Sequence, residues 1–378
     1  MHGSAGAAAL GTGCGACAAG VVGVRAFVLL MEPAEYTQAL KREVFDRLGV
    51  ATAYLRRGSL AAADSAAQAE AWEARSFWGQ ARAVWRVLRE FDLVVVNSYS
   101  AWPCVGLFLL NALFFRRPVG IDADDTYRVP KRWGVRLLKA GYLRVLFTRR
   151  WCFGISPGAG AHRELFRRGG MPEERIYSVP MCADQAPLAR AMPPQRPAGR
   201  PLRFGYLGRL VPHKRVDLLL AAFARLEPGS AVLEVVGAGS EREALERSAP
   251  AGAAFLGPRF GQAKRAWLWS VDVLVLDSDY EPWGLVVNEA LAAGVPCLVG
   301  SRVGCAQELA AASGAGWVIP AGDAAALAQA MRRVVQLPPA QLQAMGAAGA
   351  RFMRERWSVE IYREQWADMA RQVMAWKR

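Results

Sequence analysis

The chain has 378 residues, 53% of them hydrophobic, and a formal net charge of +14. That length suits two domains of ordinary size with full cores, and the charge points to anionic partners: nucleotide-sugar phosphates, lipid phosphates, an acidic membrane face or nucleic acid. No apolar run approaches the roughly 18 residues of a spanning helix, and seven scattered cysteines fit reduced thiols in a cytosolic protein better than a disulfide framework.

Residues 1–22 are rich in Gly and Ala and lack the basic start of a signal peptide, so they read as a flexible leader or as sequence upstream of the true start. Cys14 and Cys17 have metal-type spacing but no second pair, so no metal is expected there. The first strand runs from Val24 to Leu30, followed by a helix through Leu48 and a second strand from Ala51 to Leu55. Residues 68–90 carry the pattern of an amphipathic helix. Leu93 to Val96 is a β-branched run that ends in a polar turn, which predicts a strand. Val105 to Phe115 is apolar but broken by Asn111, and predicts a buried helix. Pro118 to Ile121 is the next strand. Strands alternating with helices predict a doubly wound parallel sheet over residues 23–186.

Asp122-Ala123-Asp124-Asp125 follows that strand. Two acids two apart can grip Mg²⁺ or Mn²⁺ with a diphosphate; an acid here equally suits a helix N-cap. Residues 130–151 hold seven Lys and Arg, no acid, and interleaved Leu, Tyr, Phe and Trp. Such a helix can lie on an anionic membrane face or stay a solvated basic helix packed on its domain. Phe153 to Ser156 predicts a strand, residues 158–170 a helix with His162 on its polar surface, and Arg175 to Ala183 a closing strand.

Five prolines between residues 187 and 201 mark a linker. A second unit, 202–357, opens with a strand at Leu202 to Leu207 and then Gly208-Arg209-Leu210, with Lys214 four residues on. Glycine at a strand end lets backbone approach a ligand, and two nearby cations can neutralise a diphosphate. Val232 to Gly237 and Phe255-Leu256-Gly257 are further strand ends. The densest signal is VDVLVLDSDYEPWGLVVNEALAAGVPCLVG, residues 271–300: a buried parallel strand, a polar loop, a helix from Leu285, and a stop at Gly294 with Pro296 beyond it. Parallel sheets bind ligands at the carboxyl ends of their strands. A helix starting there aims free N–H groups and a partial positive charge at the crevice, which suits phosphate. Glu281 lies in the loop and Glu289 about two turns into the helix. Two carboxylates beside an anion site make sense if hydroxyl-rich groups flank the phosphate. Residues 358–378 predict a terminal aromatic-rich helix.

The EPWGLVVNEA stretch and the G-R-L-x-x-x-K order resemble glycosyltransferase family 4, the retaining glycosyl transferases group 1 with an E-x7-E signature. The resemblance implies the GT-B fold: two Rossmann-like parallel-sheet domains facing a central cleft, with residues 23–186 taking the acceptor, 202–357 the donor, and the last helix crossing back to the first domain. It implies that Arg209 and Lys214 hold the donor phosphates, Glu281 lies by the transferred sugar and Glu289 binds the ribose. Gly208, Gly237, Leu256, Gly257, Gly284, Leu285 and Val286 supply donor-binding backbone. The family often carries a histidine near the reacting sugar where this chain has Asp124, which is the first-domain candidate for orienting a hydroxyl or accepting a proton. D-x-D metal binding belongs to the other glycosyltransferase fold, so no metal and no cofactor are expected, only a nucleotide diphosphate sugar as co-substrate.

The expected partners are a UDP- or GDP-linked sugar, a saccharide or lipid-linked acceptor, and an anionic membrane touched through 130–151. The expected location is cytoplasmic, with peripheral contact on the inner face of the cell membrane. Ala/Arg-rich usage suits a GC-rich bacterium and points to a surface polysaccharide or glycolipid. The rivals are a nucleotide-sugar epimerase or a phosphorylase on the same fold, the latter without a motif for its lysine-bound pyridoxal, and a non-catalytic GT-B protein. A nucleic-acid binder is disfavoured because the basic residues are dispersed and no recognition motif appears.

Overall fold

The computed structural model describes residues 23–57, 71–124, 132–158, 160–182, 188 and 199–376. The expected leader 1–22 with Cys14 and Cys17, the start of the basic segment at residues 130 and 131, and most of the linker 187–201 lie outside the described residues.

Two six-stranded sheets organise the chain, and every described strand pair is parallel. The first holds β1 (Ala26–Leu30), β2 (Ala51–Tyr54), β3 (Leu93–Val96), β4 (Val119–Asp122), β5 (Cys152–Ser156) and β6 (Ile176–Ser178), in the order β2-β1-β3-β4-β5-β6. Its helices are α1 (Glu35–Leu40), α2 (Phe77–Glu90), α3 (Trp102–Leu110), α4 (Trp133–Phe147) and α5 (Ala161–Arg168). The second holds β7 (Leu202–Leu207), β8 (Ala231–Val236), β9 (Ala253–Gly257), β10 (Val273–Leu276), β11 (Cys297–Gly300) and β12 (Gly316–Ile319), in the order β12-β11-β10-β7-β8-β9. Around it lie α6 (Val216–Phe223), α7 (Arg242–Arg247), α8 (Gly261–Leu268), α9 (Leu285–Ala292), α10 (Ala324–Val335) and α11 (Pro339–Arg356).

Strand order reverses beside β1 in one sheet and beside β7 in the other, which opens a crevice at the carboxyl ends of those strands. Helices cover both faces of each sheet, so central strands are continuous apolar runs rather than alternating ones; all four residues of β10 are buried. The last helix, α12 (Val359–Ala375), returns to the first sheet. Its Trp366 sits edge-on to Phe45, ring centroids 5.6 Å apart, in a core shared with Ala26 and Val28.

Four expected elements differ. The amphipathic helix starts at Phe77 rather than residue 68, because Ser76 caps it by accepting the Gly79 N–H at 3.2 Å and residues 72–74 form a separate 3₁₀ turn. The helix expected over 158–170 is confined to Ala161–Arg168. The strand expected to Ala183 ends at Ser178, just before Pro180, which has no N–H for a ladder. The apolar helix expected to be buried runs through α3 into a π turn at Asn111–Phe115, but only one side faces the core. Cys104, Leu107 and Asn111 are buried, whereas Leu109, Leu113 and Phe114 are exposed because no further layer covers that helix.

Candidate functional site

The loops after β7, β8 and β10 meet at one edge of the second sheet. Gly237 has φ +153, and a Cβ there would stand 1.8 Å from the Gly208 carbonyl oxygen. A Cβ on Gly239 would stand 2.1 Å from the Leu210 carbonyl oxygen. These glycines let the two loops stack backbone on backbone, tied by Leu210 N–H donating to the Ala238 carbonyl at 2.8 Å. Gly257 closes the next strand end, its carbonyl accepting from the Gly237 amide at 3.1 Å. Leu256 beside it is half-buried.

The loop after β7 is clamped to the loop after β10. The Asp279 amide donates to the His213 carbonyl at 2.9 Å, and Arg215 pairs with Asp279 at 3.1 Å. Arg215 takes a left-handed backbone, φ +49, uncommon for a side chain of its size. Its own hydrogen bonds to Asp217 and Asp279 offset that strain, and they raise its pKa further above its ordinary value. Between them Lys214 donates directly to Glu281, both side chains largely buried. Arg209 is exposed at the mouth. The buried Tyr206 phenol, which donates to the Arg209 carbonyl, senses both neighbours: burial and the Glu281 charge raise its pKa, and Arg209 opposes them. Lys214 and Glu281 therefore meet directly, and the Glu281 and Arg209 charges both lie near the Tyr206 phenol.

Three residues past Glu281, Gly284 adopts φ +102 and starts α9, so the amides of Leu285 and Val286 lack intrahelical partners and open toward this loop. Glu289, farther along α9, has a partner that sequence reasoning missed. Lys264 of α8 donates to Glu289 at 2.9 Å and to Glu35 of α1 at 2.8 Å, bridging the two halves of the chain. Burial raises the Glu289 pKa, Lys264 opposes the rise, and the net shift is upward. Burial lowers that of Lys264, but the two carboxylates hold it above its ordinary value.

His162 is not a surface residue, as its sequence context had suggested. It is fully buried between the halves, where its Nε2–H donates to the Pro282 carbonyl at 2.8 Å and its ring lies 5.2 Å from that of Trp283. Its Nδ1 is buried without a hydrogen-bond partner among the described residues. Trp283 donates to Asn288 at 2.8 Å, and Asn288 donates on to the Met181 carbonyl at 2.8 Å. A further contact joins the halves: Glu308 accepts the Gly160 amide at 3.0 Å. Pro282, next to Glu281, and Asn288, next to Glu289, are thus held by the first half of the chain.

On the first sheet, Asp124 is half-buried beside Asp122. The next described helix, α4, is N-capped by Arg132, so Asp124 does not cap it; residues 125–131 lie outside the described residues. Asp122 accepts from Asn97 at 3.0 Å. Burial first, and then the Asp124 charge, push its pKa up to about 7. Sequence reasoning used Asp122 only as half of a metal motif. Tyr36 has its pKa raised by burial and then by the Asp124 and Asp122 charges, which places its phenol near these acids. Among the described residues no cluster of His, Cys, Asp and Glu has metal-holding geometry. A cavity of about 590 Å³ opens elsewhere between the halves, lined by Pro157, Ser178, Glu308, Arg351, Phe352 and Gln365 among others, and neither Lys214 nor Glu281 lines it.

Residues 190–352 match the family model of glycosyl transferases group 1. Over 127 residues the chain is 35% identical to a GDP-mannose-dependent alpha-mannosyltransferase of Mycobacterium tuberculosis, covering 34% of this chain and 32% of that protein. Over 166 residues it is 36% identical to a glycogen synthase of the same species, covering 42% and 40%. The chain spans about a third to two fifths of the length of these curated relatives. The solved structure of Anabaena Alr3699/HepE in complex with UDP superposes on 92% of this chain and 100% of that one, with a TM-score of 0.70 and 17% identity. The architecture is that of GT-B: two parallel-sheet units about a cleft, with the last helix returning to the first.

Proposed function

From residues 190–352, which match the family model of glycosyl transferases group 1, we propose that the protein is a retaining glycosyltransferase that moves a sugar from a nucleotide diphosphate sugar to a hydroxyl. The observation that carries this reading is Lys214 held against Glu281 beside the open N-terminus of α9. A cation, a carboxylate and unpaired amides in one hollow suit a diphosphate with a sugar attached.

In the reaction the bond from the anomeric carbon to the phosphate oxygen breaks, and the bond to the acceptor oxygen forms on the same face. Negative charge grows on the leaving diphosphate. Lys214, Arg209 and the amides of Gly284, Leu285 and Val286 stabilise it, and such fixed donors matter most where charge develops. The diphosphate takes over Lys214 and releases Glu281 to hold the sugar hydroxyls. Glu289 holds the ribose, with Lys264 opposing the upward push of burial on its pKa. Gly208, Gly237, Leu256 and Gly257 give the nucleotide a backbone surface. Asp124 faces the acceptor, orienting its hydroxyl or taking its proton. Closure of the halves excludes water and limits donor hydrolysis. The donor is UDP- or GDP-linked. The acceptor is a saccharide or lipid-linked hydroxyl of a bacterial surface polysaccharide or glycolipid, met at the cytoplasmic face of the membrane that the 130–151 segment contacts.

A panel of UDP- and GDP-sugars, read first by thermal shift and then by release of the nucleotide diphosphate, tests this reading. One sugar nucleotide should raise Tm and turn over, and Glu281→Ala should abolish turnover in a chain still folded by circular dichroism, with Tm lowered because Lys214 is left buried without its partner. Wild-type turnover in Glu281→Ala refutes the assigned role, and a panel without a stabilising member refutes the reading itself.

A further inference from the structure

The first sheet carries an apolar surface that the proposed reaction does not use. In parallel α/β units the helices run against the strands, so helix N-termini lie at the carboxyl ends of the strands. Three helices on the first sheet begin there with exposed aromatics: Phe77 and Trp78 open α2, Trp102 opens α3 and Trp133 opens α4. Trp78 is 70% exposed and Trp133 79%. These residues form one surface. Phe77 stacks on Trp102 with ring centroids 5.8 Å apart. Tyr142 of α4 donates to the Tyr99 carbonyl just before α3, and Lys139 lies 5.9 Å from the Tyr99 ring centre. The surface continues down the helices through Trp85 against Phe114.

The first two turns of α4 are the sharpest feature. No residue from Arg132 to Leu138 is buried; the buried residues of the helix are Leu143, Leu146 and Phe147, with Lys139 and Tyr142 half-buried against Tyr99. Leu138 is 75% exposed and Leu137 62%. Exposed apolar residues in a contiguous group mark a surface with a partner. Its charge selects the partner. Residues 77–151 hold thirteen Lys and Arg against five Asp and Glu, a net +8 out of +14 for the whole chain. A second copy of this face would bring like charges together. A bilayer with anionic headgroups complements both features, since tryptophan prefers the interface and basic side chains reach the phosphates. Among the described residues no helix is long and apolar enough to cross a membrane, so the contact lies on the surface.

We infer that the N-terminal turns of α2, α3 and α4 form one membrane-docking face, which seats Trp78, Trp102, Trp133, Leu137 and Leu138 among anionic lipid headgroups at the rim of the cleft. The inference deepens the membrane contact proposed above from a single basic segment to a three-helix face. It also gives that face a direction: the rim it occupies is the end of the first sheet where Asp124 lies, so a lipid-borne hydroxyl need not leave the headgroup layer to reach the cleft.

The test is flotation of the full chain with vesicles of phosphatidylcholine alone and of phosphatidylcholine carrying phosphatidylglycerol at about three lipids in ten. The wild type should float with the anionic vesicles, should not float with the neutral ones, and should be released at about 0.5 M salt. The triple variant Trp133→Ser, Leu137→Ser, Leu138→Ser should lose about tenfold in partition. These residues are exposed, so its circular dichroism and Tm should match the wild type. Wild-type chain that stays behind with anionic vesicles overturns the inference, as does a triple variant that floats normally. So does a wild type that fails to float and forms dimers that the variant does not. Turnover of the sugar nucleotide, measured without vesicles, reports on the proposed reaction alone: lost flotation with turnover intact sinks only the docking face.

Discussion

Replacing Lys264 with Met should destabilise the protein in a pH-dependent way. Lys264 and Glu289 have side chains only 13% and 17% exposed, and Glu35, the second partner, is 56% exposed. Removing one member of a buried pair leaves the other charge uncompensated, which costs about 3–5 kcal/mol, whereas the exposed Glu35 arm contributes about 0.2–1 kcal/mol. At roughly 2–4 °C per kcal/mol for a unit of this size, the loss is about 6–20 °C in Tm. The sign of the pH effect follows from Glu289. Burial already raises its pKa, and without Lys264 nothing nearby opposes that rise. A carboxyl with a raised folded pKa binds its proton more tightly when folded, so its stability is intact below the unfolded value near 4.3 and falls as pH climbs through the folded one. The deficit of Lys264→Met should therefore be small near pH 5 and largest at pH 8. Thermal unfolding of wild type, Lys264→Met, Glu289→Gln and the double variant across that range measures it, and the double variant should recover most of the loss. A deficit that is the same at every pH, or a double variant as unstable as Lys264→Met, refutes the reasoning.

Asp122 should titrate near 7 in a carboxyl-resolved NMR measurement. Each pKa unit is about 1.4 kcal/mol, so ionising it costs the folded chain up to about 4 kcal/mol before solvent screening, and stability should fall between about pH 4 and 7; Asp122→Asn should flatten that slope. Gly304→Ala would set a Cβ 1.8 Å from the Pro282 carbonyl oxygen, and the Gly304 amide donates to the Glu281 carbonyl at 3.0 Å. About 1–3 kcal/mol of overpacking should lower Tm and displace Glu281, so turnover should fall with it; a Gly304→Ala enzyme with wild-type Tm and kcat contradicts this. His162→Ala should raise KM for the donor and lower kcat, at a stability cost of about 1–3 kcal/mol for the orphaned Pro282 carbonyl, and His162→Asn should recover part of both; an unchanged KM and kcat remove the positioning role.

What was legible in the sequence lies within single βα units. The four residues of β10 read as a buried strand because both faces of a parallel sheet are covered. Gly284 and Gly294 punctuate α9, and Lys214 and Glu281 belong to motifs in sister loops of one sheet. What was not legible depends on the other half of the chain. The Lys264–Glu35 bond spans 229 residues and the His162–Pro282 bond 120. His162 sits among Arg163, Glu164 and Arg167 on a short polar helix, a context that reads as surface; it is buried only because the second half covers it. The reverse error fell on residues 105–115. Their apolar composition reads as core, but composition cannot say whether a covering layer exists, and among the described residues none lies over Leu109, Leu113 and Phe114.

Three of the cross-links between the halves have a common address. His162 holds Pro282, next to Glu281; Asn288, bound to Met181, is next to Glu289; Lys264 joins Glu289 itself to Glu35. Each attaches the first half to the loop or helix that carries one of the two site carboxylates. Opening the cleft would therefore cut the supports of Glu281 and Glu289 together, and placing those carboxylates is the same event as closing the halves. A ligand that fits only the closed arrangement adds RT ln(1 + [L]/Kd) to the stability of that arrangement, about 2.7 kcal/mol at a hundredfold excess over Kd. The sugar nucleotide of the proposed reaction would thus stabilise the cross-links as well as its own contacts. Weakening any one of them, even at His162, which touches neither proposed donor carboxylate, lowers donor affinity through closure rather than through contact.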